Sequence, residues 1–203
     1  MSPLARLFSQ HRIKVSRVFG IAFVAILLTT GSIWQGTLTG SVLFLVGIVL
    51  AAVGMLGRVW CLTYSSGYKS SELVTQGPYS ISRNPLYFFS FIGLIGIGLA
   101  TETFTLTLVL IAFFVLVYPA VIAGEEAFLQ EKFGEPYLEY CRRTPRFFPD
   151  RRRFAEPDSY MVQPRTLRRS LGGVIWFIGL PVAIQLLVAL RTAGVIGSLA
   201  RLP

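Results

Sequence analysis

Two polar stretches on either side of an apolar hairpin hold the residues whose types and spacing suit ligand chemistry. The first, residues 72–87, contains Gln76, Gly77, Pro78 and Tyr79, then Arg83, Asn84, Pro85 and Tyr87. Gly77-Pro78 is a turn signal. Asn84-Pro85 predicts an extended residue before a proline suited to the first turn of a helix. A helix starting there aims free backbone N–H groups and its positive dipole end outward, which suits a carboxylate or another anion. Arg83, just ahead of that start, offers the same group a bidentate contact. The stretch also reads as an ordinary helix cap with an interfacial aromatic belt.

The second stretch, residues 124–149, opens with Glu125 and Glu126 directly after an uncharged run. Acids at that depth are costly and tend to be functional. Gly134 ends one helical stretch and Pro136 can open the next. Phe133, Tyr137 and Tyr140 then form an aromatic stripe, a pattern that serves headgroup packing as readily as a cofactor. Arg142, Arg143 and Arg146 follow, with Thr144-Pro145 between them.

Taken together, the stretches offer what S-adenosylmethionine requires: partners for an aromatic adenine, a ribose diol, a carboxylate, an ammonium and a sulfonium. Tyrosine and phenylalanine can stack on the adenine, and aromatic faces attract the sulfonium. Glutamate suits the diol or the ammonium, and arginine or a helix N-terminus suits the carboxylate. Many anionic nucleotides would meet the same groups.

The elements that must position these residues are membrane helices. Of the residues, 53% are hydrophobic and only 14% charged, against roughly 25% charged in a soluble domain. A helix crossing the hydrocarbon needs about 20 mostly apolar residues, and residues 18–34, 38–57, 86–100, 104–123 and 171–190 are the candidate spans. The predicted fold class is an all-α integral membrane bundle of about five transmembrane helices. Its parts are an N-terminal segment with the first hairpin (1–57), a core with the second hairpin (58–150), and a basic connector with the last helix (151–203). Gly47, Gly54 and Gly57 read as close-packing positions between helices. Pro181 and Gln185 predict a kink and one interhelical hydrogen bond in the last span. A second apolar span follows the first closely and no A-x-A-like site precedes it, so the first reads as retained rather than as a cleaved signal.

Basic residues are distributed unevenly. Four precede the first span, three lie in 58–85 and ten in 124–170, making 17 of 19 on one side. Cytoplasmic loops accumulate Lys and Arg, so the N-terminus and both chemical stretches are expected to face the cytoplasm, with the C-terminus outside. The net charge of +9 is then a topology signal rather than a nucleic-acid footprint. Arg151–Arg153 and the basic residues from Arg165 to Arg169 read as contacts to headgroups. Cys61 and Cys141 with one distant His11 make neither an expected disulfide nor a metal site.

The order Gly77-Pro78-Tyr79, Arg83-x-Pro85-x-Tyr87, hairpin, Glu125-Glu126, Phe133-Gly134-x-x-Tyr137-x-x-Tyr140 and Thr144-Pro145-Arg146-x-x-Pro149 resembles the isoprenylcysteine carboxyl methyltransferase family. Phospholipid and small-thiol membrane methyltransferases share this general pattern, and the resemblance covers roughly residues 55–150. It implies a small helical bundle enclosing S-adenosylmethionine at the cytosolic face, with a lipophilic substrate arriving from the bilayer, for which a prenylcysteine-like carboxylate is one candidate, and membrane lipids around it. On this resemblance Gln76, Gly77, Pro78, Tyr79, Arg83, Asn84, Pro85, Tyr87, Glu125, Tyr137, Tyr140 and Arg146 would hold the cofactor, while Glu126, Arg142 and Arg143 would position the substrate. The implied location is a bacterial inner membrane. Where the family usually has histidine, this chain has Asn84, which cannot titrate near neutral pH. The rival readings are a membrane reductase of the sterol-reductase type and a non-catalytic membrane protein or transporter.

Overall fold

The computed structural model describes residues 3–66 and 72–203, with side chains from Ser16 onward. Lys69 and the side chains of Arg6, Arg12 and Lys14, used in the topology reading, and that of His11, weighed as a metal ligand, lie outside the described residues. Among the described residues, eight α-helices run α1 (Pro3–Thr29), α2 (Leu38–Ser65), α3 (Pro78–Ile81), α4 (Pro85–Leu99), α5 (Phe104–Phe133), α6 (Glu135–Arg143), α7 (Pro164–Leu171) and α8 (Trp176–Thr192). Two three-residue strands, β1 (Thr30–Ser32) and β2 (Ala200–Leu202), pair in parallel. The fold is a helical membrane bundle, as expected.

Helices α2 and α4 pack most closely, and small residues are the reason. A Cβ on Gly54 would stand 2.5 Å from the Gly93 Cα, and one on Gly96 would stand 2.3 Å from the Ala51 nitrogen. Gly47 lies against Gly96 and Ala100 in the same way, and Gly57 against the Phe89 ring. Between helices in lipid, such close backbone approach supplies the packing that water would otherwise drive. Ile97, Leu110 and Ile184 then join α4, α5 and α8 into one core, with Phe19 and Phe23 of α1 against it. Large apolar residues such as Leu45, Leu56, Leu108, Leu116 and Leu186 face outward, the surface a bilayer covers.

Several expected boundaries move. Among the described residues, three helical stretches, Leu38–Ser65, Phe104–Phe133 and Pro164–Thr192, are long and apolar enough to cross a membrane, while Pro85–Leu99 and Ser16–Thr29, the part of α1 described with its side chains, are shorter. The first span ends at Thr29 rather than continuing to Trp34, because the chain turns there into β1. Arg191, expected beyond the last span, lies in the last turn of α8 and caps the end of α1, donating to the carbonyls of Leu27, Leu28 and Thr30 at 2.9, 2.9 and 2.6 Å. Arg58, expected to open a loop, lies inside α2, where its guanidinium donates to Ser90 Oγ and covers the Phe177 ring. Helix α5 continues through Glu125 and Glu126 to Phe133, since nothing before Gly134 stops it. The last span is broken between α7 and α8, at residues 172–175. Gln185 does not supply the expected interhelical bond, as its Oε1 is buried without a partner among the described residues. Gln35, in the turn before α2, reaches α8 instead, donating from Nε2 to the Val188 carbonyl at 2.9 Å.

The two ends of the bundle differ in character. At one end β1, β2, the α4–α5 turn and the chain terminus are laced together, with Thr105 N donating to the Pro203 carbonyl at 3.0 Å. At the other end lie α3, α6 and the residues singled out for chemistry.

Candidate functional site

The first polar stretch is shaped by one glycine. Gly77 has φ +59°, and a Cβ there would stand 2.4 Å from the Tyr64 ring, so both backbone and space demand glycine. Pro78 starts the short α3, and Asn84 caps α4 with Pro85 at its first turn. Asn84 is not the extended residue expected before a proline: its φ and ψ are −126° and 49°. The Ser82 hydroxyl, which accepts from Asn84 N at 3.2 Å, and the Asn84 side-chain bonds hold it there.

Residues 144–156 form a strap fastened along this stretch. Arg83 N donates to the Pro145 carbonyl at 2.8 Å, Asp150 N to the Ile81 carbonyl at 2.9 Å, and Gly77 N to the Ala155 carbonyl at 2.8 Å. Ser82 Oγ donates to the Phe147 carbonyl at 3.0 Å, and Ala155 N to Ser80 Oγ at 3.0 Å. The strap carries Arg146 back over the start of α4.

Glu126, one of three acids inside α5, is the centre of the resulting cluster. Its Oε1 accepts from Asn84 Nδ2 at 2.8 Å and lies 3.7 Å from the Arg83 guanidinium. Its Oε2 accepts from Arg146 through two nitrogens, both at 3.0 Å. The second N–H of the Asn84 amide donates to the Arg146 carbonyl at 2.9 Å. Beside this cluster the Tyr87 hydroxyl donates to Glu125 Oε2 at 2.7 Å. Tyr140, on α6, donates to the Tyr79 carbonyl at 2.7 Å. Burial raises the pKa of Tyr79, Tyr137 and Tyr140, so all three stay neutral donors at neutral pH.

A cleft of about 210 Å³ opens beside these groups. Tyr79, Arg83, Asn84, Pro85, Tyr87, Glu125 and Tyr140 line it, which brings both polar stretches to one place. Glu126 and Arg146 stand behind its wall, bonded to Asn84. Gly77 and Pro78 shape the turn, and Gln76 lines an adjoining groove with Tyr64 and Tyr160. Tyr137 is buried beside Tyr140 without lining the cleft. Arg142 and Arg143 sit on the exposed face of α6, paired with Glu135 at 3.1 Å and with Glu139.

Sequence reasoning missed the rest of the wall. Leu62 and Ser65 come from α2, Ser66 from its C-terminal cap, Glu72 to Val74 from the connecting stretch, and Thr166 and Ser170 from α7. No motif marks them, and the basic run around α7 reads only as headgroup contact. Two wall residues carry buried polar atoms without a partner among the described residues, Arg83 Nε and Ser66 Oγ. A separate apolar groove of about 310 Å³, floored by Phe91, Phe114 and Phe147, opens between α4 and α5 with Arg146 at its lip. Among the described residues, no group of three or more His, Cys, Asp or Glu is placed to hold a metal ion.

The phospholipid methyltransferase family matches residues 37–136. Two curated relatives match nearly end to end. The nickel-cobalt-cadmium resistance protein NccN of Alcaligenes xylosoxydans xylosoxydans is 39% identical over 192 residues, 95% of this chain and 90% of the relative. The cobalt-zinc-cadmium resistance protein CzcN of Cupriavidus metallidurans is 38% identical over 193 residues, 95% of this chain and 89% of the relative. No solved structure matches the chain significantly.

Proposed function

This chain belongs to the phospholipid methyltransferase family of membrane proteins, and from that premise we propose that it transfers a methyl group from S-adenosylmethionine to a lipophilic acceptor. The observation that carries the proposal is the cleft itself. Two stretches about forty residues apart in sequence converge on it, and its wall holds Arg83 Nε and Ser66 Oγ, neither with a partner among the described residues. Buried polar atoms without partners are rare in folded proteins, so these two fit a polar ligand in the cleft.

The donor set suits the cofactor. Arg83 and the N-terminus of α4 would hold its carboxylate. Glu125, aligned by the Tyr87 hydroxyl, would take the ribose diol or the ammonium, with Tyr79 and Tyr140 as aromatic walls. When bound, S-adenosylmethionine supplies a methyl group activated on a positive sulfonium.

The chain's own part is positioning. The groove between α4 and α5 would present an acceptor from the bilayer, its aromatic floor excluding water. Glu126, held by Asn84 and Arg146, would orient the acceptor head between groove and cleft. A carboxylate acceptor is already ionised. An amine or thiol would need a base, for which Glu125, Glu126 and the cleft tyrosines are the nearby groups. The two relatives' names attach them to resistance to nickel, cobalt and cadmium and to cobalt, zinc and cadmium. We assign this chain to the same process through its methylated product.

We also place the cleft at the cytosolic face of an inner membrane, from the 17-to-2 asymmetry of basic residues. Single cysteines at Gly36 and Arg152 test this in a background free of Cys61 and Cys141. An impermeant reagent outside intact cells should label the first and not the second, and the reverse would invert the orientation. For the activity, purified protein with radiolabelled S-adenosylmethionine and a lipid extract should place label in the lipid fraction. Label found only in soluble protein or nucleic acid, or none with Glu126 intact, would refute the reading.

A further inference from the structure

A second groove, separate from the cleft and from the groove at Arg146, lies on the other side of α4. Val53 and Trp60 of α2 and Phe88, Phe89 and Ile92 of α4 line its apolar length, which encloses about 610 Å³. Arg151 stands at its lip, in the 3-10 turn Arg151–Arg153. That turn is held in place. Asp150 N donates to the Ile81 carbonyl at 2.9 Å, and the neighbouring Phe154 ring packs on Trp60 at 6.0 Å.

The two grooves differ in charge. Arg146, at the lip of the first, is ion-paired with Glu126 at 3.0 Å. Arg151, at the lip of the second, makes no side-chain ion pair or hydrogen bond among the described residues. The adjacent acid cannot serve it, because Asp150 pairs with Arg153 through Oδ2 at 3.0 Å and accepts from Arg152 N through Oδ1 at 3.1 Å. An uncompensated guanidinium thus tops an apolar channel running down two membrane helices, at the end of the bundle where the spans meet the headgroup layer. An arginine matches phosphate geometry, and a channel lined by Val53, Phe89 and Ile92 matches an acyl chain.

We infer that this groove binds one anionic phospholipid, with its phosphate on Arg151 and an acyl chain between α2 and α4. The lipid is a resident ligand held beside the Gly54–Gly93 contact, not the methyl acceptor. The inference does not depend on methyl transfer.

The test is native mass spectrometry of the full chain released from micelles holding phosphatidylglycerol and phosphatidylcholine with matched acyl chains. Wild type should retain one phosphatidylglycerol in preference to phosphatidylcholine. Arg151→Gln should lower that preference about fivefold, the weight of one arginine against an anionic headgroup, and Arg151→Lys should keep most of it. Ile92→Trp, which fills the channel, should reduce retention of both lipids. S-adenosylhomocysteine affinity should be unchanged in Arg151→Gln, which separates this site from the cleft. Equal retention of both lipids by wild type would overturn the inference, as would full preference in Arg151→Gln or a lipid-free dimer. Loss of the bound lipid in Arg146→Ala instead would place it in the other groove and also overturn it.

Discussion

Asn84 Nδ2 lies 2.8 Å from Glu126 Oε1, a hydrogen bond that ties the cap of α4 to the interior of α5 across 42 positions of sequence. The same amide group donates its other hydrogen to the Arg146 carbonyl at 2.9 Å. One NH₂ group therefore fastens the start of α4, the acid on α5 and the strap. An imidazole carries at most one hydrogen on each ring nitrogen and cannot send two from a single atom. Asn84→Asp should be the most damaging change at this position, since it sets a carboxylate against Glu126 and removes both donors. Leaving a buried partner unsatisfied costs about 1–3 kcal/mol, and like-charge repulsion adds to it. Thermal unfolding in detergent should show a lowered midpoint for Asn84→Asp and a smaller loss for Asn84→His. An Asn84→Asp protein as stable as wild type would dissolve the assigned network.

The arginines of the second stretch should separate cleanly. Arg146 holds Glu126 through two nitrogens, whereas Arg142 and Arg143 make exposed pairs on α6. Exposed pairs contribute about 0–1 kcal/mol, so Arg142→Ala and Arg143→Ala should barely change stability or methyl transfer. Arg146→Ala should reduce turnover severalfold or more. Parallel rate measurements on the three variants check this, and a larger effect from Arg142 or Arg143 would return them to the acceptor site.

The cleft depends on the α2–α4 seam. A side chain at Gly96 would meet the Ala51 backbone, 2.3 Å from where its Cβ begins. Gly96→Val should force the helices apart at a cost of about 1–3 kcal/mol or more. Because α4 carries Asn84 and Tyr87, ligand affinity should fall with stability. Gly20→Ala, where nothing lies within 4 Å, is the control expected to be neutral.

Much of this was legible from residue types alone. Gly77, Arg83, Asn84, Tyr87 and the Glu125-Glu126 pair stood out because glycine, proline and buried acids carry local rules, and the structure brings them together. Gly134 marked the true end of α5, yet Glu125 and Glu126 suggested an earlier end. Charge was mistaken for a loop when it only marks where a helix leaves hydrocarbon. The strap was invisible, since it is fastened largely by backbone N–H and C=O groups that every residue possesses. Ser66 and the α7 wall were invisible too, because ordinary residues become a site only through which helices touch.

Tyr140 predicts a dependence on alkaline pH. Burial raises its pKa above the ordinary 10.0, and its hydroxyl must stay protonated to donate to the Tyr79 carbonyl. A raised folded pKa means the folded state holds the proton more tightly. The stability from this group is thus complete below the ordinary value and is lost as pH rises through the folded one. Unfolding midpoints should be flat between about pH 7 and 9 and decline above about pH 10. Tyr140→Phe should be less stable than wild type at neutral pH and should lose less on going alkaline. Equal alkaline decline in both proteins would assign the effect to other groups.

The central claim is that the cleft joined by Arg83, Asn84 and Glu126 holds the methyl-donor cofactor. Calorimetric titration of purified protein with S-adenosylhomocysteine, the product left after methyl transfer, tests it most directly. Wild type should bind, and Arg83→Ala and Glu126→Ala should each weaken binding about 10- to 150-fold, the range for losing a hydrogen bond to a charged partner. Wild type that shows no binding, or both variants titrating like wild type, would contradict the account.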